Sequence, residues 1–429
     1  MTGHSSLNPK GLQSPSRRAL LGGAAAIGAA LLTDSVAARG GFQEATLPKA
    51  SVDLTPFEVS IPQAAIDDLT NRLTNIRWPD KEPVEGHEQG LPLEDAKALV
   101  DYWVNYYDWR KFEKRINKYP QFRTEIDGLG IHFIHVRSKH ENALPIIMTH
   151  GWPGSVVEFL GSIDRLTNPT GYGGQAKDAF HVVIPSIPGY GFSDRPIGLG
   201  WNAERTADAW GVLMDRLGYH RWVAQGGDWG SLVTHRLAQR KPKGLVAAHV
   251  NLPLVFDAED ANTPEAQQAI EAMAFLAGPG GGYAHQQGTR PQTLAYGLAD
   301  SPVGQAMWIL EKIQAWSDNN GNFEEALPVD AVLDNISLYW FTNTAGSSAR
   351  FYWEVFQTGF GNYSAGPIDL PMAASIFAHE FFKAPRPWVE RAWSNLFYWN
   401  TVEHGGHFAA WEQPELFSAE LAKAFSKMR

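Results

Sequence analysis

The sequence predicts an α/β protein: a doubly wound, mostly parallel sheet with a helical lid inserted into it and an N-terminal helical arm ahead of it. Three observations carry that expectation. Short apolar runs alternate with helical stretches, two of those runs being closed off by turn residues, the pattern of strand–helix–strand units. A fourth run, Trp222-Val-Ala-Gln, passes through Gly226-Gly-Asp-Trp-Gly into a helix that begins near Ser231, which is a sharp strand-to-helix turn. Between about Pro253 and Pro367 the strand pattern stops, and helical, Gly-rich and aromatic segments take over before short apolar runs resume.

In chain order, Ser16-Arg17-Arg18-Ala19-Leu20-Leu21 opens an Ala/Gly/Leu run through Leu32 that is followed by Ser35-Val36-Ala37. Paired arginines, a mild apolar core and a small-residue exit come in the order of a twin-arginine signal peptide. Residues 1–37 are therefore expected to direct export by that machinery, to the periplasm or beyond. The run is too short to span a bilayer comfortably at about 1.5 Å per residue. From Pro56 to about Phe122 the pattern is helical: Ile66, Leu69 and Leu73 share a face, and Ala96 to Tyr107 is rich in aromatics. The arm is assigned to 50–140. The strand-like runs are Gly130-Ile-His-Phe-Ile-His-Val, Pro145-Ile-Ile-Met-Thr-His, Phe180-His-Val-Val-Ile-Pro and, after the lid, Met372-Ala-Ala-Ser-Ile-Phe and Leu396-Phe-Tyr-Trp. These divide the rest into a first core part (141–252), the lid (253–367) and a second core part (368–429). Gly278-Pro-Gly-Gly-Gly reads as a mobile loop within the lid.

A chain of 429 residues has room for a core domain and a lid. With 44% hydrophobic and 19% charged residues, 16 Trp and 22 Phe, it is a globular protein and not a disordered one. A net charge of −10 without a basic run gives no reason to expect a nucleic-acid partner. Cysteine is absent, which excludes disulfides, thiolate nucleophiles and Cys-ligated metals.

The elbow places Asp228 where a nucleophile is held between small residues, here Gly226, Gly230 and Ser231; the plainer reading of Asp228 is a helix N-cap. His150-Gly-Trp-Pro-Gly-Ser follows another strand, so the backbone N–H groups of Trp152 and Trp229 are expected to converge on one oxygen. An aspartate nucleophile decides the chemistry. Carboxylate attack on saturated carbon gives an ester that water can cleave, whereas a serine would form an ether with no hydrolytic exit, so serine-esterase chemistry is disfavoured. His407, in Gly405-Gly-His-Phe, is the expected water-activating base, with His404 a weaker neighbour. Glu380, just past the run ending at Phe377, is the acid expected to orient it, with Glu403 and Glu412 as alternatives.

With these residues in place the chain resembles the microsomal-type epoxide hydrolases, α/β-hydrolase-fold enzymes with a helical N-terminal region. The resemblance runs from about Pro56 to the C-terminus. It rests on His150-Gly-Trp-Pro-Gly-Ser, Gly226-Gly-Asp-Trp-Gly-Ser, Asp300-Ser-Pro-Val-Gly, Ser347-Ser-Ala-Arg-Phe-Tyr and Gly405-Gly-His-Phe-Ala-Ala. It implies two lid tyrosines that hold and protonate an epoxide oxygen. Tyr352 matches one; Tyr283 matches the other, with Tyr296 and Tyr339 as substitutes. A phenol suits that task because it stays protonated at neutral pH. The expected reaction joins an apolar epoxide and water to give a vicinal diol, without metal or organic cofactor. Trp308, Trp316, Trp340 and Trp353 suggest an apolar pocket or a lid core. Two other functions are compatible with part of this pattern: a haloalkane dehalogenase, which shares the Asp elbow and hole, with Trp229 binding halide, but lacks the paired lid tyrosines, and a ligand-binding receptor without turnover. Oligomeric state is open.

Overall fold

The computed structural model describes residues 54–257, 261–358 and 366–429. The export-signal segment 1–37 lies outside them. The arm begins with a short strand, β1 (Thr55–Phe57), followed by helices α1 (Gln63–Thr74), α2 (Leu93–Asn105) and α3 (Trp109–Ile116). In α1 the buried residues Leu69 and Leu73 lie one turn apart, as an amphipathic helix requires. Asp108 caps α3 by accepting the Arg110 N–H. The helical pattern stops at β2 (Gln121–Ile126), which forms a hairpin with β3 (Leu129–Val136).

The core continues with β4 (Leu144–Thr149), α4 (Leu160–Thr167), β5 (Phe180–Pro185), α5 (Ala203–Arg216), β6 (Trp222–Gly226), α6 (Trp229–Arg240) and β7 (Leu245–Val250). Among the described residues the lid has six α-helices: α7 (Pro264–Ala277), α8 (Gly282–Thr289), α9 (Pro291–Asp300), α10 (Pro302–Trp316), α11 (Val329–Thr342) and α12 (Ala345–Gln357). The chain then closes with β8 (Met372–His379), α13 (Arg386–Ala392), β9 (Leu396–Gly406), α14 (Ala409–Glu412) and α15 (Pro414–Ala424).

Among the described residues the nine strands form one sheet in the order β1-β2-β3-β5-β4-β6-β7-β8-β9. Pairing is antiparallel from β1 through β3 to β5 and parallel from β5 to β9. The central strands are buried on both faces, which is why they read as continuous apolar runs. Strand order reverses on either side of β4, and such a switch point opens a crevice at the carboxyl ends of the strands.

Two local expectations are corrected, and the strand β7 is added. The elbow helix starts at Trp229, immediately after Asp228, and not near Ser231. The strand β7 carries a weak apolar signal, diluted by Ala247, Ala248 and His249, and is defined by its pairing between β6 and β8. Gly278-Pro-Gly-Gly-Gly is not a loose loop: Pro279–Gly281 forms a 3₁₀ turn that feeds directly into α8. Side chains there would collide with the Phe275 ring and the Leu276 carbonyl, so the glycines let the turn fold back on α7.

Candidate active site

Asp228 has φ +50° and ψ −126°, a conformation that L residues seldom adopt, and its side chain makes no cap hydrogen bond to the helix it precedes. It is therefore not a simple N-cap. The turn exists because its neighbours are small: a Cβ on Gly230 would strike the Thr149 carbonyl, and one on Gly226 would strike the Gly230 carbonyl. Thr149 and Gly226 are register partners on β4 and β6, so the loop after β4 lies beside the elbow. There the Trp152 N–H donates to Asp228 Oδ1 at 2.8 Å. Trp229 is the first residue of α6, where backbone N–H groups point out of the helix start. Ser231 is engaged elsewhere, its hydroxyl donating to the Leu252 carbonyl.

Strands β8 and β9 deliver the other two polar groups. The His407 Nε2 lies 3.3 Å from Asp228 Oδ2, and its Nδ1 lies 2.8 Å from Glu380 Oε1. The side chains of His407 and Glu380 are each only 2% exposed. Trp316, Phe381 and Phe408 surround the imidazole at ring distances of 5.1, 4.7 and 5.1 Å. Burial opposes a charge on His407, but the Glu380 carboxylate and the Asp228 contact outweigh it and raise the imidazole well above its ordinary range. Glu403 and His404 are exposed. Glu412 is buried behind the histidine loop, where it accepts the N–H groups of Asp318, Gly406 and Phe408. Burial pushes Glu412 up to about 7.

The lid supplies the roof. Tyr283 of α8 stacks on the Trp152 ring at 5.1 Å and 11°, while Tyr352 of α12 meets the Trp229 ring edge-on at 4.5 Å and the Trp152 ring at 5.8 Å. The two phenol rings lie 5.9 Å apart. Burial raises both phenols above their ordinary range; the Asp228 charge adds to this for Tyr283, as Tyr283 and then Asp228 do for Tyr352. Of the substitutes, Tyr296 is 71% exposed on α9. Tyr339 is buried on α11, and its hydroxyl donates to the Gly154 carbonyl at 2.7 Å. Of the four lid tryptophans, Trp316 reaches the site, Trp308 donates to Gln287, and Trp340 lies under Arg72 of the arm.

Several contributors lie outside the catalytic residues expected from the sequence. Asn335, also on α11, donates to the Pro153 carbonyl at 2.8 Å and accepts the Ser155 hydroxyl at 2.7 Å, so that together with Tyr339 it fixes the loop carrying Trp152. The arm braces the same helix, Tyr107 donating to Asp334 at 2.9 Å and Arg115 forming an ion pair with it. His150 holds the loop from below as a neutral imidazole, its Nδ1 paired with the Gly151 carbonyl and its Nε2 accepting the Ile187 N–H; burial pushes it down to about 4. Glu158 brings its carboxyl against Gly154, and burial pushes it up to about 8. Among the described residues no group of three or more His, Cys, Asp or Glu is placed to hold a metal ion, and no helix is long and apolar enough to cross a membrane.

A carboxylate held in this way can attack a carbon above it, and the imidazole beside it can activate water. Known proteins show the same architecture. Residues 54–159 match the family described as "Epoxide hydrolase N terminus", and residues 145–273 match "alpha/beta hydrolase fold". A Stigmatella aurantiaca protein provisionally described as an epoxide hydrolase is 54% identical over 97% of this chain and 96% of its own length. Epoxide hydrolase 1 of Sus scrofa is 35% identical over 88% and 90%. The crystal structure of juvenile hormone epoxide hydrolase from the silkworm Bombyx mori superposes with a TM-score of 0.81 at 31% identity, covering 89% of this chain and 96% of that one. The chain belongs to the microsomal-type epoxide hydrolase family of the α/β-hydrolase fold.

Proposed function

We propose that this epoxide hydrolase converts an apolar epoxide to a vicinal diol through an ester on Asp228, with Glu380 and His407 driving its hydrolysis. The observation that carries the reading is one aspartate contacted from two sides: Trp152 N–H at 2.8 Å on Oδ1 and His407 Nε2 at 3.3 Å on Oδ2. In the first half-reaction an Asp228 oxygen forms a bond to an epoxide carbon, the ring C–O bond breaks, and Tyr283 and Tyr352 hold the leaving oxygen while one of them protonates it. Esterification removes the Asp228 charge, one of the two negative charges that raise His407. The imidazole then gives its proton up to solvent, to be regained when the Asp228 charge returns, and becomes a base for water, while Glu380 holds its Nδ1–H.

In the second half-reaction water attacks the ester carbonyl and gives a proton to His407. The oxyanion is held by the Trp152 and Trp229 amides. Collapse expels the diol, protonated by His407, and the remaining water-derived proton returns to the phenolate. The aromatic walls of Trp152, Trp229, Trp316 and Phe381 favour an apolar substrate.

The test offers purified protein a styrene-type epoxide and, separately, a 1-haloalkane, and measures diol, alcohol and halide for wild type and Asp228→Asn. Diol formation that disappears in the variant is the expected result. Halide release alone would make the protein a dehalogenase, and binding of epoxide without turnover would make it a receptor.

Export is a separate part of the proposal, resting on Ser16-Arg17-Arg18 and the apolar run after it. Replacing Arg17 and Arg18 by lysine should retain the protein inside the cell; unchanged fractionation would contradict the twin-arginine route.

A further inference from the structure

Trp308, Lys312 and Trp316 recur every fourth residue along α10 and so share one helix face. Lys312 is a cation on a buried aromatic stripe, only 8% exposed, and desolvating an ammonium is unfavourable unless other interactions compensate. Its Nζ pairs with Glu311 at 2.7 Å and lies 4.8 Å from the centroid of the Tyr283 ring and 5.7 Å from that of Trp316. Trp152 stacks on the same tyrosine ring. Around Tyr283, burial, the Asp228 carboxylate and the Glu311 carboxylate all oppose a negative charge, and the Tyr352 hydroxyl favours one. Lys312 brings a positive charge to this group.

We propose that Lys312 is a positioning residue for ring opening: its ammonium, held over the Tyr283 ring, stabilises the phenolate formed when Tyr283 gives its proton to the epoxide oxygen. The inference rests on the reading of Tyr283 as a proton donor. In the resting enzyme the contact is a cation–π attraction. Once the O–H bond breaks, the same ammonium faces a full negative charge, so the interaction strengthens as the epoxide C–O bond is lost, which is the kind of interaction that speeds a chemical step. Ester hydrolysis takes place at the Asp228 carbonyl and makes no such demand on Lys312. The effect of removing the cation should therefore fall on one half-reaction.

The experiment uses the full chain and styrene oxide, with rapid-quench sampling and intact-mass detection of the ester, to measure ester formation and decay separately. Lys312→Met should slow formation about tenfold and leave decay within about twofold; should that variant not fold, Lys312→Gln carries the same expectation. Lys312→Arg, which keeps the charge, should restore most of the rate. In a Tyr283→Phe background, Lys312→Met should cost nothing further. Equal slowing of both half-reactions, or an undiminished tenfold loss in the Tyr283→Phe background, would overturn the role assigned to Lys312 while leaving Tyr283 as donor. If Tyr283→Phe by itself leaves ester formation unchanged, the donor reading fails, and this proposal fails with it.

Discussion

Asp228, Glu380 and His407 stand just past the carboxyl ends of β6, β8 and β9, whereas Tyr283, Lys312 and Tyr352 are carried by three different lid helices. The strand-end group is held by short-range necessity: the positive φ of Asp228, the close approach of Gly230 to Thr149, and the 2.8 Å contact between His407 and Glu380. The lid group is held at longer range, by rings seated on Trp152 and Trp229 and by the α11 side chains that tie the lid to the loop after β4. The two regions thus divide the proposed chemistry. In that proposal the strand ends make and break the ester, and the lid handles the oxygen that leaves.

The largest expected effect separates the halves most sharply. In His407→Gln, turnover should fall roughly 1,000-fold, with a base lost from the second step, while ester still forms and accumulates; a variant that forms no ester would break the division. Next come Tyr283→Phe and Tyr352→Phe. Each should slow ester formation, on the order of 100-fold at most because the other phenol remains, and should leave decay of preformed ester unchanged. Quench-flow of both steps checks this, and slower decay would assign the tyrosines to the wrong half.

The same contrast explains what could be read without coordinates. Asp228, Trp152 and His407 lie in runs of small residues whose spacing is demanded by close neighbours, backbone beside Asp228 and His407 and the Asp228 and Glu158 side chains beside Trp152, so steric need writes itself into adjacent letters. The parallel strands were legible for a related reason, since burial on both faces leaves continuous apolar runs. Asn335, Lys312 and Glu158 carry no such mark. The partners of Asn335 are remote in the chain, Pro153 being separated from it by 182 positions, and a polar residue in a lid helix looks the same whether it faces solvent or the loop after β4. The Trp308, Lys312 and Trp316 spacing was a usable hint, because a lysine at the centre of an aromatic stripe is misplaced for a solvated face. Pairing corrected the edges: β2 ends the helical arm because it forms a hairpin with β3, and β7 is defined by its neighbours more than by its own apolarity.

A smaller effect probes the tie between the regions. Asn335→Ala removes a donor to the Pro153 carbonyl and the acceptor of the Ser155 hydroxyl, at about 1–3 kcal/mol of stability for the groups left unpaired. Both half-reactions should slow, by about tenfold, because the Trp152 amide serves both. Thermal unfolding together with the two rates tests this; an unchanged rate in a destabilised variant would make Asn335 structural only.

The most subtle expectation concerns protons. Burial lowers the His407 pKa, and Glu380 and Asp228 together more than reverse this. Removing one anion must favour the neutral imidazole, so in Asp228→Asn the His407 titration, followed by side-chain nitrogen NMR, should move to lower pH. By the same sign, the stability that wild type gains from protonated His407 is fully present below the unfolded-state value of about 6.5 and is lost as pH rises through the folded one. A titration that stays in place or moves upward in Asp228→Asn would mean that the aspartate does not hold the proton on His407.

The most direct test of the covalent route is a single turnover in ¹⁸O-water with enzyme in excess over a styrene-type epoxide, followed by mass analysis of the diol and of the peptide containing Asp228. If Asp228 forms the ester and water attacks its carbonyl, the label enters the Asp228 carboxylate and the first diol carries none. Label in the first diol, with Asp228 unlabelled, would mean that water attacks the epoxide directly and that Asp228 is not the nucleophile.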